Sequence, residues 1–343
     1  MGIINSQAAG TGGEVKGKHA GKALFAAAWL AMAAFALPAA ARGPECIVPA
    51  KPGGGMDLTC KLARKGLNAV SAATGVDPAL HINYLPGGIG AVAWNSILTQ
   101  RRAESDTLIV FSGGSLLNLA QGKYGNASAA DVRWVAALGA DYGMIAVRSD
   151  SPYKTLADLL DALKRNAGKI SIGAGGTVGS QDWLKVSIIA RQAGISPKKL
   201  RFVAFEGGGE SITALLAGYV EAVSGDASEA ALYAANGNIR VLAVMSDQRL
   251  PGVLSNVPTA REQGYDVTWP IVRGFYMGPG VSDEHYRKWV SAFDRMMTDP
   301  GFDALRAAHG LYPFALTGDA LTSYVRKTVD DYGRQAKELG LSR

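Results

Sequence analysis

The chain has 343 residues, of which 43 are Gly and only 19% are charged, with a formal net charge of +6. An apolar share of 48% excludes a disordered chain, the absence of a three-residue Gly period excludes collagen, and two Cys exclude a disulfide-dense scaffold or a Cys-based zinc cluster. The length suggests about two domains, and the small, scattered positive excess argues for no nucleic-acid partner.

The first segment reads as an address. Lys16, Lys18 and Lys22 precede an uncharged run from Ala23 to Leu37, Pro38 breaks it, and Ala39-Ala40-Ala41 follows. A basic region, a short apolar region and an A-x-A site make a cleavable signal peptide over 1–41, cut after Ala41. The expectation is therefore a periplasmic protein exported by general secretion. Cleavage leaves 302 residues with a net charge of +4. In an oxidising compartment Cys46 and Cys60 can form one bridge; the alternative is two buried free thiols.

Beyond the leader, β-rich runs alternate with helical patterns. Cys46–Pro49, Leu108–Phe111, Ile145–Val147, Ile170–Ile172, Phe202–Phe205 and Val241–Met245 read as buried strands. Leu156, Leu159, Leu160 and Leu163 share one helix face, with Thr155 and Asp158 as a capping box. The alternation predicts βαβ units and a largely parallel sheet.

Glycines gather where a strand hands over to a helix: Gly53-Gly54-Gly55, Gly87-Gly88-Ile89-Gly90, Gly113-Gly114, Gly173 through Ser180, and Gly207-Gly208-Gly209. In an open parallel sheet ligands bind outside the carboxyl ends of the strands. First-turn N–H groups lack intrahelical partners and carry the positive end of the helix dipole, and Gly lets an anion approach them. Several such turns around one cleft would hold a carboxylate or phosphate; each alone could simply be a tight turn. Asp57, directly after three Gly, reads as an N-cap that also lines this mouth.

Enzyme signatures are missing. The third Gly of a dinucleotide fingerprint starting at Gly173 would fall at Val178, and there is no P-loop and no G-x-S-x-G elbow. His81, His285 and His309 show no pairing with Ser112, Ser115 or Ser180, and no spacing suggests a metal. The pattern implies neither catalysis nor a cofactor.

Several stretches, in order, resemble one family: Cys46 through Asp57, Leu85 through Ala91, Gly173 through Ser180, Phe205 through Gly208, and Pro258-Thr259-Ala260-Arg261-Glu262-Gln263-Gly264 with its P-T-x-x-E-x-G pattern. The chain resembles the periplasmic solute-binding receptors of tripartite tricarboxylate transporters, the Bordetella uptake gene family, and is most similar to the tricarboxylate-binding branch. It departs from the family at Ser105-Asp106-Thr107, where D-G-Y is common, and at Tyr84, where Asn is common.

The resemblance implies an α/β, two-lobed periplasmic-binding-protein fold of the Venus-flytrap type II. Lobe 1 would hold 42–147 and the returning 266–343, and lobe 2 would hold 148–265. It implies capture of a small organic polycarboxylate, a citrate-like tri- or dicarboxylate, and delivery to the membrane subunits of a tripartite transporter, by a monomer. The ligand residues it implies are Gly54, Gly55, Asp57, Ser112 and Gly113 from lobe 1, and Gly176, Thr177, Ser180, Phe205 and Asp226 from lobe 2. Lys51, Arg148 and Arg273 are candidates for a second carboxylate, a solvated surface position being the alternative for each. Two rival readings are a receptor that feeds a sensor kinase and an exported enzyme using the Ser-bearing loops.

Overall fold

The computed structural model describes residues 43–338 except Pro78, so the expected leader lies outside the described residues. Ten strands form one long, mixed sheet in the order β2-β1-β3-β9-β4-β7-β5-β6, with β8 and β10 also pairing with β4. The strands are β1 (Glu45–Val48), β2 (His81–Tyr84), β3 (Thr107–Ser112), β4 (Arg133–Arg148), β5 (Ser171–Gly175), β6 (Arg201–Phe205), β7 (Ala222–Asp226), β8 (Ile239–Val244), β9 (Pro270–Met277) and β10 (Leu316–Thr317).

Two parallel groups lie at the ends, β2-β1-β3 and β7-β5-β6. Antiparallel strands join them, so the expected parallel sheet is interrupted at its centre. The 16-residue β4 does the joining. Its Arg133–Tyr142 stretch pairs with β9, and its Gly143–Val147 stretch pairs with β7. Gly139, Asp141 and Gly143 break the apolar run of β4, which is why the sequence suggested only Ile145–Val147 as a strand.

Each half-sheet is covered on both faces, and the period of two explains how. In the first half, Cys46, Val48, Leu108, Val110 and Phe275 point to one core, while Ile47, Ile109, Phe111 and Tyr276 point to the other. The first of these cores packs under α1 (Gly55–Thr74) and α8 (Asp283–Met297) through Leu62, Leu67, Trp289 and Phe293. The second packs under α2 (Ala91–Thr99) and α10 (Gly318–Glu338) through Trp94, Ile97, Leu321 and Val325.

In the second half, Ile145 and Val147 face α4 (Leu156–Asn166) and α5 (Gln181–Gln192), whereas Met144 and Ala146 face α6 (Gly208–Leu216) and α7 (Ala227–Ala235). The four leucines of α4 are all buried, and Thr155 and Asp158 cap each other as expected. Strands buried on both faces have to be apolar throughout, which is what made most of them legible; the exception is β6, read as buried from Phe202–Phe205 but found as a half-exposed strand at the edge of the sheet.

Cys46 of β1 and Cys60 of α1 are disulfide-bonded, with a Cα–Cα distance of 6.0 Å, and clip the first strand to the helix that follows it. Among the described residues no helix is long and apolar enough to cross a membrane.

Candidate functional site

Helices begin where strands end, and five helix N-termini open on one cleft between the half-sheets. Gly54 and Gly55 lead into α1, Ser112 and Gly114 into α3 (Gly113–Ala120), Ser180 and Gln181 into α5, Gly207 and Gly208 into α6, and Asp226 into α7. The cleft has an empty volume of about 630 Å³, which includes space open to solvent. First-turn residues such as Gly114, Gln181 and Gly208 have no intrahelical acceptor for their N–H groups. Four buried side-chain atoms also lack a hydrogen-bond partner here: Asn118 Oδ1, Gln181 Oε1, Arg273 Nε and Asp182 Oδ1, the last being held by an ion pair with Lys185.

Of the ten residues implied by the family resemblance, six line the cleft: Gly54, Gly55, Ser112, Gly176, Ser180 and Asp226. Four do not. Gly113 is buried behind Ser112, near Ile271 and Tyr332. Thr177 points to solvent, and Phe205 packs into the core between α6 and the sheet. Asp57 is the third residue of α1 rather than its N-cap, a place taken by Gly54. Its buried carboxylate accepts from Gly53 N–H (2.8 Å), Tyr84 Oη (2.9 Å) and Lys61 Nζ (2.7 Å), so it fastens the glycine loop from behind.

Other carboxylates of the protein take up the loop amides in the same way. Gly55 N–H donates across the cleft to Glu229 Oε1 (2.8 Å), and Gly175 N–H donates to Asp182 Oδ2 (2.9 Å). Gly176, at φ +87°, donates its N–H to Phe205 O (2.7 Å). The hydroxyls serve as caps: Ser180 Oγ accepts from Trp183 N–H (3.3 Å), and Ser115 Oγ accepts from Ser112 N–H (3.2 Å). Gly209 is required by closeness: a Cβ there would stand 2.6 Å from Gly53 C and 2.7 Å from Gly54 N, in the opposite loop.

Beneath the cleft lies a buried ionic cluster. Arg273 of β9 pairs with Asp141 of β4 (2.9 Å) and with Asp226. Lys185 of α5 pairs with Asp226 (2.5 Å) and Asp182 (2.7 Å) and donates to Gly225 O (2.8 Å). Asp141 also accepts from Ser228 Oγ (2.5 Å) and Ser228 N–H (3.1 Å). Asp226 therefore joins both cations, and residues of β4, β7, β9, α5 and α7 meet in one network. Of the three cations offered for a second carboxylate, only Arg273 lies here, 1% exposed. Lys51 pairs with Glu210 at the surface, and Arg148 with Asp150.

Proton affinities follow from this packing. Burial pushes the Glu229 carboxyl up to about 8, helped by Asp226 and opposed by Arg273. Burial lifts Asp182 to about 6 against the pull of Lys185. Burial also raises Asp141, again in spite of Arg273. For Asp226 burial acts upward too, but Lys185 and Arg273 together outweigh it and hold the carboxyl below its usual range. Composition and motifs did not single out Glu229, Asp182, Lys185 or Asp141. For Glu229, Asp182 and Lys185 only a position near the start of a helix that follows a strand end could have pointed to them, and Asp141, in mid-strand on β4, carried no such signal.

Residues 108–341, more than half of the chain, match the family model described as the tripartite tricarboxylate transporter family receptor. A UPF0065 protein in the gbd 5' region of Cupriavidus necator is 25% identical over 205 residues, which is 60% of this chain and 61% of that protein, so the match spans less than two thirds of that relative. Among solved structures, MatC of Rhodopseudomonas palustris with bound malate superposes with a TM-score of 0.73 at 20% identity, covering 86% of this chain and 99% of that one. Rpa4515 of R. palustris with adipate gives a TM-score of 0.74 at 20% identity, over 88% and 98%. These likenesses show the two-lobed periplasmic-binding-protein fold. With the cleft at the strand ends and the family match across both half-sheets, the chain belongs to the tripartite tricarboxylate transporter receptor family of solute-binding proteins.

Proposed function

We propose that this protein is an exported receptor that captures a small organic acid between its two lobes and delivers it to a tripartite membrane transporter. One observation carries the reading: five helix N-termini converge on a single cleft lined by glycine and hydroxyl residues. Such a cleft holds a carboxylate by backbone N–H groups and helix dipoles, without a dedicated surface cation. The malate and adipate of the two similar solved structures belong to the same chemical class.

In this reading Gly54, Gly55, Ser112, Gly176, Ser180 and Asp226 form the ligand's surroundings. On the same reading the lobes divide where β4 exchanges β9 for β7, at Tyr142–Gly143, and where the chain enters β9 at Trp269–Pro270, a division supported by the change of pairing partner. These places are a few residues from the 147/148 and 266 divisions expected from sequence. Ligand bridging the lobes would favour a closed state by hinge motion, and the closed state would dock on the membrane subunits. The contacts already spanning the cleft, Gly55 to Glu229 and Lys51 to Glu210, are ones that opening would break.

Calorimetry tests the reading, using protein unfolded and refolded to strip carried-over ligand. The panel includes citrate, tricarballylate, succinate, malate and adipate together with monocarboxylates. Heat with at least one acid, and recovery of that acid unchanged, is expected. Absence of heat with every carboxylate sinks the proposal.

A further inference from the structure

Among the described residues Ile89 is the one non-glycine residue at positive φ (+56°, ψ +43°). A β-branched side chain pays for that conformation, so something must hold it. Its carbonyl accepts from Tyr124 Oη (2.8 Å) and Asn118 Nδ2 (3.3 Å), and the Tyr124 ring stacks on Trp94 at 5.5 Å. This anchored turn turns the side chain into the cleft, which Ile89 lines. There Ile89 Cδ1 reaches the opposite lobe, lying 3.4 Å from where a Cβ on Gly176 would stand.

Ile89 is not alone on its side. Pro49, Ala50 and Met56, also from the first half of the molecule, give the cleft an apolar wall. The ionisable side chains lining the cleft are Asp182, Glu206, Asp226, Glu229 and Arg273, four carboxyls to one guanidinium. Arg273 Nη2 already donates to Asp141 and Asp226, and its Nε is left without a partner at the cleft. The first-turn amides and Arg273 Nε can meet one ligand carboxylate, whereas further carboxylates would face Asp226, Glu206 or hydrocarbon and an aliphatic or aromatic body would meet a matching surface.

Resting on the receptor reading above, we propose that Ile89 is a specificity-determining residue. It selects organic acids that bring one carboxylate to the helix N-termini and lay an apolar carbon body against the Pro49–Ala50–Met56–Ile89 wall, in preference to citrate-like acids. The turn held by Tyr124 and Asn118 carries the Ile89 side chain over the ligand body toward Gly176.

The test compares hexanoate and benzoate with citrate and tricarballylate by calorimetry on wild type and on Ile89→Asn and Ile89→Gly. Asn and Gly both accept positive φ, so both variants keep the fold, and an unfolding midpoint no lower than that of wild type verifies this. Wild type is expected to bind hexanoate or benzoate more tightly than citrate. Ile89→Asn is expected to reduce that preference by roughly tenfold or more, the scale of a lost apolar pocket contact. Tighter binding of citrate or tricarballylate than of every monocarboxylate, or an unchanged preference in both variants, overturns the role of Ile89 and leaves the receptor reading intact. Absence of heat with any acid overturns both.

Discussion

The two walls of the cleft are built on different principles. The wall from the first half combines hydrocarbon from Pro49, Ala50, Met56 and Ile89 with the short polar groups of α3. The wall from the second half is glycine loop over buried charge: Gly175, Gly176, Gly207 and Gly208 lie above Asp182, Lys185, Asp226 and Glu229. The contrast teaches that a glycine-rich strand end is not by itself an empty anion hole. Asp57, Asp182 and Glu229 already occupy the N–H groups of Gly53, Gly175 and Gly55. The protein satisfies part of its own loop chemistry and leaves a smaller set of first-turn amides for a guest.

The largest way to break this contrast is to remove Arg273, one of the two cations of the buried cluster beneath the cleft. Arg273→Met leaves Asp141 buried without a cation and Asp226 with Lys185 alone, and such a loss costs about 3–5 kcal/mol. Denaturant unfolding should show it. A variant as stable as wild type would mean that the cluster is not a structural centre. A smaller break is Gly176→Val. It puts a branched side chain at φ +87°, with its Cβ 2.8 Å from that of Ser180, and the strain is about 1–3 kcal/mol. Ligand binding should be lost while the far core around Trp289 and Phe293 stays folded; undiminished affinity would remove the 176–180 loop from the site. Ser180→Ala takes the cap from α5 and should cost about 1 kcal/mol in stability. An affinity loss beyond that cost would show that the hydroxyl also meets the ligand.

Much of the fold could be read from the chain because burial on both faces of each half-sheet demands unbroken apolar runs, and leucine spacing with a Thr155–Asp158 box marks α4. What could not be read depends on tertiary pairing. β9 holds Arg273 and Gly274 in mid-strand, and its place between β3 and β4 follows from antiparallel pairing that no local pattern encodes. The site was legible as glycine turns, and six of ten residues implied by the family resemblance do line the cleft. Thr177, in the loop after β5, and Phe205, at the end of β6, stand at strand ends that open on the cleft but face away, since side-chain direction is set by backbone angles that the sequence motif leaves open. Arg273 had equal claim on paper with Lys51 and Arg148; only the fold distinguishes a buried guanidinium between two aspartates from a surface one.

The finest distinction concerns Glu229, whose carboxylate stands at the amide of Gly55 where a ligand carboxylate would also be welcome. Its pKa rises from an ordinary 4.5 to about 8 on folding, through burial first and the neighbouring Asp226 second. Between those values the folded protein keeps a proton that the unfolded chain has lost, so stability falls as pH rises through this window. Asp182 acts in the same sense only up to about 6. Asp226, with its carboxyl held below its usual range, acts in the opposite sense and only in acid. From pH 6 to pH 8 Glu229 contributes to the decline, in the same sense as Asp141, whose carboxyl burial also raises. Glu229→Gln imitates the protonated form and keeps an oxygen for Gly55 N–H, so its unfolding midpoint should change less over this range than that of wild type. Parallel pH profiles for the two proteins would mean that Glu229 is ionised in the folded state, and that the first wall is already closed by a true internal carboxylate.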